Sequence, residues 1–205
     1  MARGRRSDHT AEQMLALIVD KGSEIVAESG ISAVTAREVA RGIGYSATTV
    51  LNLMGSAEAI VTAVNTRTFG LWARHLEKAL AEKPDDRIAA LVHAYFDFAR
   101  DNPRLWISIY EHKPTDHDVP EDQMKERSQL TAIVAREIAS VLPAGADGIE
   151  ELTASLVHTV HGHCHLWITG TSEIMGLKDV RSAALDRVME TLSARGRRPD
   201  GDREA

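Results

Sequence analysis

Residues 35–54 read TAREVARGIGYSATTVLNLM, and the spacing inside this stretch decides the fold. Two short helices that cross steeply need a small residue at the crossing, a residue at ease with positive φ at the turn, and apolar side chains beneath. Ala40 stands at the crossing, Gly44 at the turn, and Val39, Ile43, Val50 and Leu53 are spaced to close a small core. Anything larger than a methyl group at position 40 would push the pair apart. Thr35 followed by Glu38 has the form of a capping box, in which hydroxyl and carboxylate each satisfy a free backbone N–H. Ser46 repeats the N-cap role after the turn, so a second helix begins there. An ordinary helical hairpin shares part of this pattern. Caps, turn and core together predict the helix pair that presents its second member to DNA.

Length and composition set the frame. A chain of 205 residues holds one large domain, or a small one joined to a larger one. It has no apolar run of roughly 18 residues and no charged-then-apolar leader, so neither membrane insertion nor secretion is expected. The single cysteine, Cys164, rules out an internal disulfide and suits a reducing cytoplasm. No P-loop, nucleotide-binding glycine run or nucleophile elbow is present, and Cys164 lacks a distinctive catalytic setting, so an enzyme is not expected. No cofactor is expected either.

The net charge of −6 suits a nucleic-acid binder only once it is divided along the chain. Up to residue 55 the bases Arg3, Arg5, Arg6, Lys21, Arg37 and Arg41 balance the acids Asp8, Glu12, Asp20, Glu24, Glu28 and Glu38. The whole deficit therefore lies further along. Arg3, Arg5 and Arg6 precede the first acid, in a basic flexible arm over 1–9 that either lies along phosphates, enters a minor groove, or is simply solvated.

Periodicity predicts helices and no sheet. One helix runs from Thr10 to about Ser29, where Gly30 stops it, and the two motif helices follow. A long helix capped by Ser56 runs to Glu82, with Ile60, Val64, Leu71, His75 and Leu76 near one face, and Pro84 ends it. Further helices are expected over Asp86–Asp101, Pro103–Glu111, Pro120–Leu142, Asp147–Thr169 and Leu177–Ala194. Loops are expected over His112–Val119, Pro143–Gly148 and Gly170–Gly176, with a disordered charged tail over 195–205. The expected class is all-α with about nine helices: a three-helix DNA-binding head over 10–55 and a larger helical domain over 56–194.

A single opening helix, Thr35, the Ala40/Gly44/Val50 motif, and Gly55-Ser56-x-Glu58 leading into a long helix resemble the N-terminal domain of TetR-type transcriptional repressors. That resemblance covers roughly residues 10–65. Ile43-Gly44-Tyr45-Ser46, Asn65-Thr66-Arg67-Thr68 and His161-Gly162 resemble the subgroup whose ligand domain carries a Trp-His-Gly motif, although Val160 stands where the tryptophan would be. The resemblance implies a cytoplasmic homodimer that binds double-stranded operator DNA, represses transcription, and is released by a small-molecule effector. Two copies of residues 46–53 would enter successive major grooves about 34 to 36 Å apart.

Carried onto this chain, the resemblance places Ala47, Thr48, Thr49 and Asn52 on the solvent face of the recognition helix. Thr48 and Asn52 would meet base edges, Ala47 a thymine methyl, and Tyr45, Thr35, Arg37 and Ser46 the helix ends and backbone phosphates. Packing between the helices is the equal alternative for Tyr45. Leu51 stands where the family usually has a phosphate-binding tyrosine, Leu53 where histidine is common, Met54 where phenylalanine packs, and Ala57 where lysine meets phosphate. Leu53 and Met54 read as core substitutions. Losing the contacts at 51 and 57 would cost on the order of 1.5 to 3 kcal/mol each per half-site. Weakened operator binding supported by the arginine arm is then expected, or a binding-only protein with reduced DNA affinity; Leu51→Tyr with Ala57→Lys would restore grip.

The regulatory half needs a pocket and a dimer surface. Phe69, Trp72, Tyr95, Phe96, Phe98, Trp106, Tyr110 and Trp167 lie on separate helices, and most read as core. The expected effector site draws on Phe69, Trp72, Tyr95, Trp106 and Tyr110, with His161 and His165 as polar anchors, and takes a small, mainly apolar molecule. Residues 157–167, VHTVHGHCHLW, offer an alternative: His158, His161 and His165 share one helical face and would hold a metal, making a metal-responsive regulator. Dimerisation is expected to use the last two long helices. One stripe of Ile149, Leu152, Leu156 and Val160, and another of Val180, Ala184, Leu185, Val188 and Leu192, would meet their mates in a four-helix bundle.

Overall fold

The computed structural model describes residues 9–112 and 120–196; the arginine arm, the loop residues 113–119 and the tail beyond 196 lie outside the described residues. Among the described residues the chain is all-helical, as expected. The helices are α1 (Ala11–Ser29), α2 (Ala36–Ile43), α3 (Ala47–Met54), α4 (Ala57–Glu82), α5 (Arg87–Asp101) and α6 (Pro103–Glu111). They continue as α7 (Glu121–Ser140), α8 (Ile149–Ile168), α9 (Thr171–Ile174) and α10 (Val180–Gly196), with a 3-10 turn over Ile31–Ala33. The tenth helix is α9, a single turn inside the segment expected to be a loop: Gly170 and Gly176, both at positive φ, bracket it. No single described helix is long and apolar enough to cross a membrane.

The described chain forms two compact units, the first taking the residues up to Thr68 with Arg104–Met124, the second Phe69–Pro103 with the chain from Lys125. In the first, α1 starts with a reciprocal cap. Thr10 Oγ1 accepts from Gln13 N while Gln13 Oε1 accepts from Thr10 N. Its buried stripe is Met14, Ile18, Gly22 and Val26. A Cβ at Gly22 would stand 3.0 Å from methyls of both Ile60 and Val64, so glycine there sets how closely α1 approaches α4. The core closes with Ile18, Val26, Val39, Val50, Ile60 and Val64, all fully buried, and Met54 packs against them.

Two expectations for this core need correction. Leu53 is 36% exposed and is not part of it: on α3 only Val50 is buried, with Ala47 and Met54 half-buried against the core. On α4 the buried face runs through Ile60, Val64, Thr68, Trp72, Leu76 and Leu80, which puts Leu71 outside at 39% exposure. A four-residue step keeps nearly the same side of a helix, and two such steps from Val64, through Thr68, land on Trp72 rather than on its neighbour Leu71.

In the second unit α8 packs on α10, and both pack on α5. Leu156, Val160, Val180, Ala184, Val188 and Leu192 are buried within the chain itself. Much of the two stripes expected at a dimer surface is thus consumed in joining α8 to α10. Arg181 staples the three helices: its guanidinium lies over Phe96 at 5.5 Å and Trp167 at 5.9 Å, and donates to Asp97 Oδ1 at 2.9 Å. On another side of the unit Glu137, its carboxylate only 3% exposed, accepts from Arg87 Nε at 2.5 Å and Nη2 at 2.8 Å. Arg136 Nε adds a third bond at 2.8 Å and holds Glu77 with its two remaining nitrogens. The arginines keep the Glu137 carboxyl below its ordinary value of 4.5 against the opposing effect of burial.

Candidate functional site

The helix pair of the first unit is built by its caps. Thr35 Oγ1 accepts from Glu38 N at 3.1 Å, which starts α2. The reciprocal half of the expected capping box is absent, because the Glu38 carboxylate turns to the Arg41 guanidinium one turn on. Gly44 ends α2 at φ 78 and ψ 28, the left-handed conformation the turn requires, and the amides of Gly44 and Tyr45 both donate to Ala40 O. Ser46 opens α3 by accepting from Thr49 N at 3.1 Å, and its hydroxyl pairs with that of Thr49 at 2.9 Å. Ser56 Oγ accepts from Ala59 N at 3.0 Å and starts α4 as expected.

The residues expected to meet DNA separate by this geometry. Thr35, Arg37, Ser46, Thr48 and Asn52 are exposed, whereas Tyr45, Ala47 and Thr49 are half-buried. Ser46 and Thr49 spend hydroxyl bonds on the cap, while Thr48 and Asn52 have no side-chain hydrogen bond among the described residues. The Tyr45 hydroxyl meets His9 Nδ1 at 2.9 Å with the rings edge to face, which ties the turn to the start of α1. Leu51 is 41% exposed, beside Asn52. Three basic side chains of this unit are paired within it: Lys21 with Glu24, Arg41 with Glu38, Arg67 with Asp20. Arg37 has no ion pair among the described residues.

Sequence reasoning missed the way α6 is held. Asn65 is 1% exposed; its Nδ2 donates to Ser108 O at 3.1 Å and its Oδ1 accepts from Ser108 Oγ at 2.6 Å. Thr62 Oγ1 meets His112 Nε2 at 3.0 Å, and Arg104 donates to the last carbonyls of α1, Ala27 O and Glu28 O. These bonds tie α6 to both α4 and α1. An asparagine at the right step of an apolar helix face was the available signal, but its partner lies 43 residues away.

The expected effector residues divide between the units. Trp106 and Tyr110 belong to the first, with ring centroids 5.4 Å apart. In the second, Trp72 lies edge-on to Tyr95 at 4.8 Å and stacks on Phe98 at 5.2 Å, with His75 beside Phe98 at 5.8 Å. The Tyr95 hydroxyl meets His161 Nδ1 at 3.0 Å. Phe69 is buried in the same unit, and His165 is exposed with its ring 5.8 Å from that of His161. Trp72 Nε1 and His75 Nε2 are buried without a hydrogen-bond partner among the described residues. His161 joins the cluster as a neutral imidazole: burial, then the neighbouring His165 and His158, holds its pKa below the ordinary 6.5.

No group of three or more His, Cys, Asp or Glu side chains among the described residues is gathered to hold a metal. His158 Nδ1 is engaged with Ala154 O at 2.6 Å and His161 Nδ1 with the Tyr95 hydroxyl at 3.0 Å. Cys164 is fully buried, and burial pushes its thiol up to about 12. Among the described residues no atom outside its own turn of α8 stands within 4 Å of a Cβ placed on Gly162, so none of them makes a close helix crossing there.

The lowered His161 pKa fixes the sign of a pH effect. The unfolded chain binds the proton more readily, so this contribution to stability is full above about pH 6.5 and is lost as pH falls toward the depressed value. Denaturant midpoints measured between pH 7.5 and 5.5 should fall, and His161→Gln should flatten that fall; an unchanged slope would place His161 outside the linkage.

The family model for the tetracyclin repressor-like C-terminal domain matches residues 88–192. The chain belongs to the TetR family. The matched span runs from α5 into α10 and includes the His161-Gly162 pair. The TetR-family fold extends over most of the chain. It is similar to a protein with unknown function from Rhodococcus sp. RHA1, at 20% identity and TM-score 0.73 over 92% of this chain and 98% of that one. It is also similar to a protein assigned to the TetR family of transcription regulators from Shewanella sp. PV-4, at 15% identity and TM-score 0.59 over 89% of this chain and 98% of that one. The TetR family transcriptional regulator PfmR from Thermus thermophilus is similar at 16% identity and TM-score 0.52, over 89% of this chain and 99% of that one. No curated protein matches the chain.

Proposed function

We propose that this TetR-family regulator acts as a homodimeric repressor whose α3 helices enter successive major grooves of an operator. Residues 10–55 then form the DNA-binding domain and 56–194 the domain for effector and dimer contacts. The observation that carries the reading is the division of α3. Val50 is fully buried, while Thr48 and Asn52 are exposed and their side chains make no hydrogen bond among the described residues. Side chains free of internal hydrogen bonds on a helix pinned from behind are what base edges require.

The effector reading draws on Trp72, Tyr95, His161 and the buried Phe69 of the second unit. Buried polar atoms without partners are uncommon in folded proteins, and Trp72 Nε1 with His75 Nε2 would be satisfied by an acceptor on a mainly apolar guest. Such a guest would act through α5, which carries Tyr95 and continues through Asn102 into α6. Because α6 is bonded to α4 and α1, an effector favouring a displaced α6 would favour a displaced α3. A coupling of about 1 to 3 kcal/mol is enough to change operator occupancy severalfold or more.

Selection of bound duplexes from a random pool tests the reading. Enrichment of inverted half-sites about 34 to 36 Å apart is expected; no enrichment would leave the helix pair as a surface for protein contact. The paired state of Lys21, Arg41 and Arg67 adds a prediction. With residues 1–8 removed, Arg37 is the remaining head arginine or lysine without an ion pair among the described residues. A dimer should then show a slope of log K against log salt of about −2. A slope steeper than about −4 would mean that the paired side chains leave their carboxylates for phosphate.

A further inference from the structure

We infer that α3 is a reader of thymine methyls and adenine edges, so that the half-site it fits is rich in A·T pairs. The inference rests on the DNA-binding reading and adds the chemistry of what is read. Turning about 100° per residue, α3 sets Thr48 and Asn52 opposite the buried Val50, with Leu51 on one flank and Leu53 on the other. Both leucines are exposed, at 41% and 36%, and neither belongs to the core behind the helix. No charged side chain occurs from Ser46 to Met54.

Each base pair asks for a different partner in the major groove. Guanine is read best by arginine or lysine and cytosine by a carboxylate, and α3 carries none of these. Adenine offers an acceptor and a donor side by side, which one amide matches, and the Asn52 amide has no hydrogen-bond partner among the described residues. Thymine alone offers a methyl group, the one apolar feature of the groove, and the leucines flank Asn52 to receive it. Around the exposed arc Leu51, Thr48, Asn52 and Leu53 follow in that order, so the amide and a threonine lie between two leucines, an arrangement that matches adenine with thymine neighbours.

The test uses the full chain and the duplex recovered by selection. The expected half-site contains adenine at a position where Asn52→Ala lowers affinity on the order of tenfold and relaxes the preference. Replacing the adjoining thymines by deoxyuridine removes only their methyl groups and should weaken binding about fourfold for each methyl contacted. Leu51→Ala and Leu53→Ala, both at exposed positions, should bind the thymine and uracil duplexes alike, with circular dichroism confirming that they remain folded. Half-sites rich in G·C, or equal affinity of the unaltered chain for both duplexes, would overturn the inference while DNA binding stands. Recovery of no duplex at all would overturn the DNA-binding reading and this inference with it.

Discussion

Glu137→Ala is expected to cost about 3 kcal/mol of stability, the typical result of removing one partner from a buried ion pair. The carboxylate accepts three hydrogen bonds, two from Arg87 and one from Arg136, and its side chain is 3% exposed. Truncation leaves the Arg87 guanidinium beside an emptied site. Two features hold the loss near the lower end of the range: Arg87 is 37% exposed and reaches water, and Arg136 keeps both bonds to Glu77. The sign of the pH effect follows from the lowered pKa. The contribution is present above about pH 4.5 and is lost as pH falls through the depressed value, so the parent chain should show a steeper acid transition than Glu137→Ala. Urea unfolding at pH 7 and pH 4 measures both; a loss under 1 kcal/mol would show that solvent already screens the cluster.

Asn65→Ala should cost about 2 kcal/mol in the first unit, from two buried hydrogen bonds at about 1 kcal/mol each. The remaining groups are not orphaned. Ser108 Oγ also donates to Leu105 O at 2.9 Å, and Ser108 O also accepts from His112 N at 3.1 Å. Ser108→Ala should therefore cost about 1 kcal/mol, and the double variant less than the sum, because the pair shares one bond. Additive losses would show that Asn65 and Ser108 act independently. Loosening α6 should also change the effector response without removing a group that faces DNA. A repression assay on Asn65→Ala, at a temperature where the protein stays folded, checks that consequence.

The head was legible because its rules are local. Ala40, Gly44 and the cap at Ser46 each act within a few residues, and all three take the places their chemistry requires. The failures have local causes too. Glu38 had a choice between the free amide of its own helix start and Arg41, and a full positive charge won. The spacing of the apolar residues points Leu53 inward, although a helix of eight residues gives the core little more than one buried position. The α8 and α10 stripes were read correctly as apolar, but an apolar stripe does not say whether its partner is in the same chain. The aromatic set was harder still, since only the contacts of Trp72, Tyr95 and His161 distinguish neighbours from residues that share a composition.

The placement of the indoles has one more consequence. Trp106 belongs to the first unit, and Trp72 and Trp167 to the second. Each unit therefore carries its own fluorophore in a distinct setting: Trp106 fully buried beside Tyr110, Trp72 stacked on Phe98, Trp167 beneath the cation of Arg181. Chains retaining one indole at a time would report on one unit only, so the melting of the first unit and the occupation of the effector cluster in the second become separate optical signals.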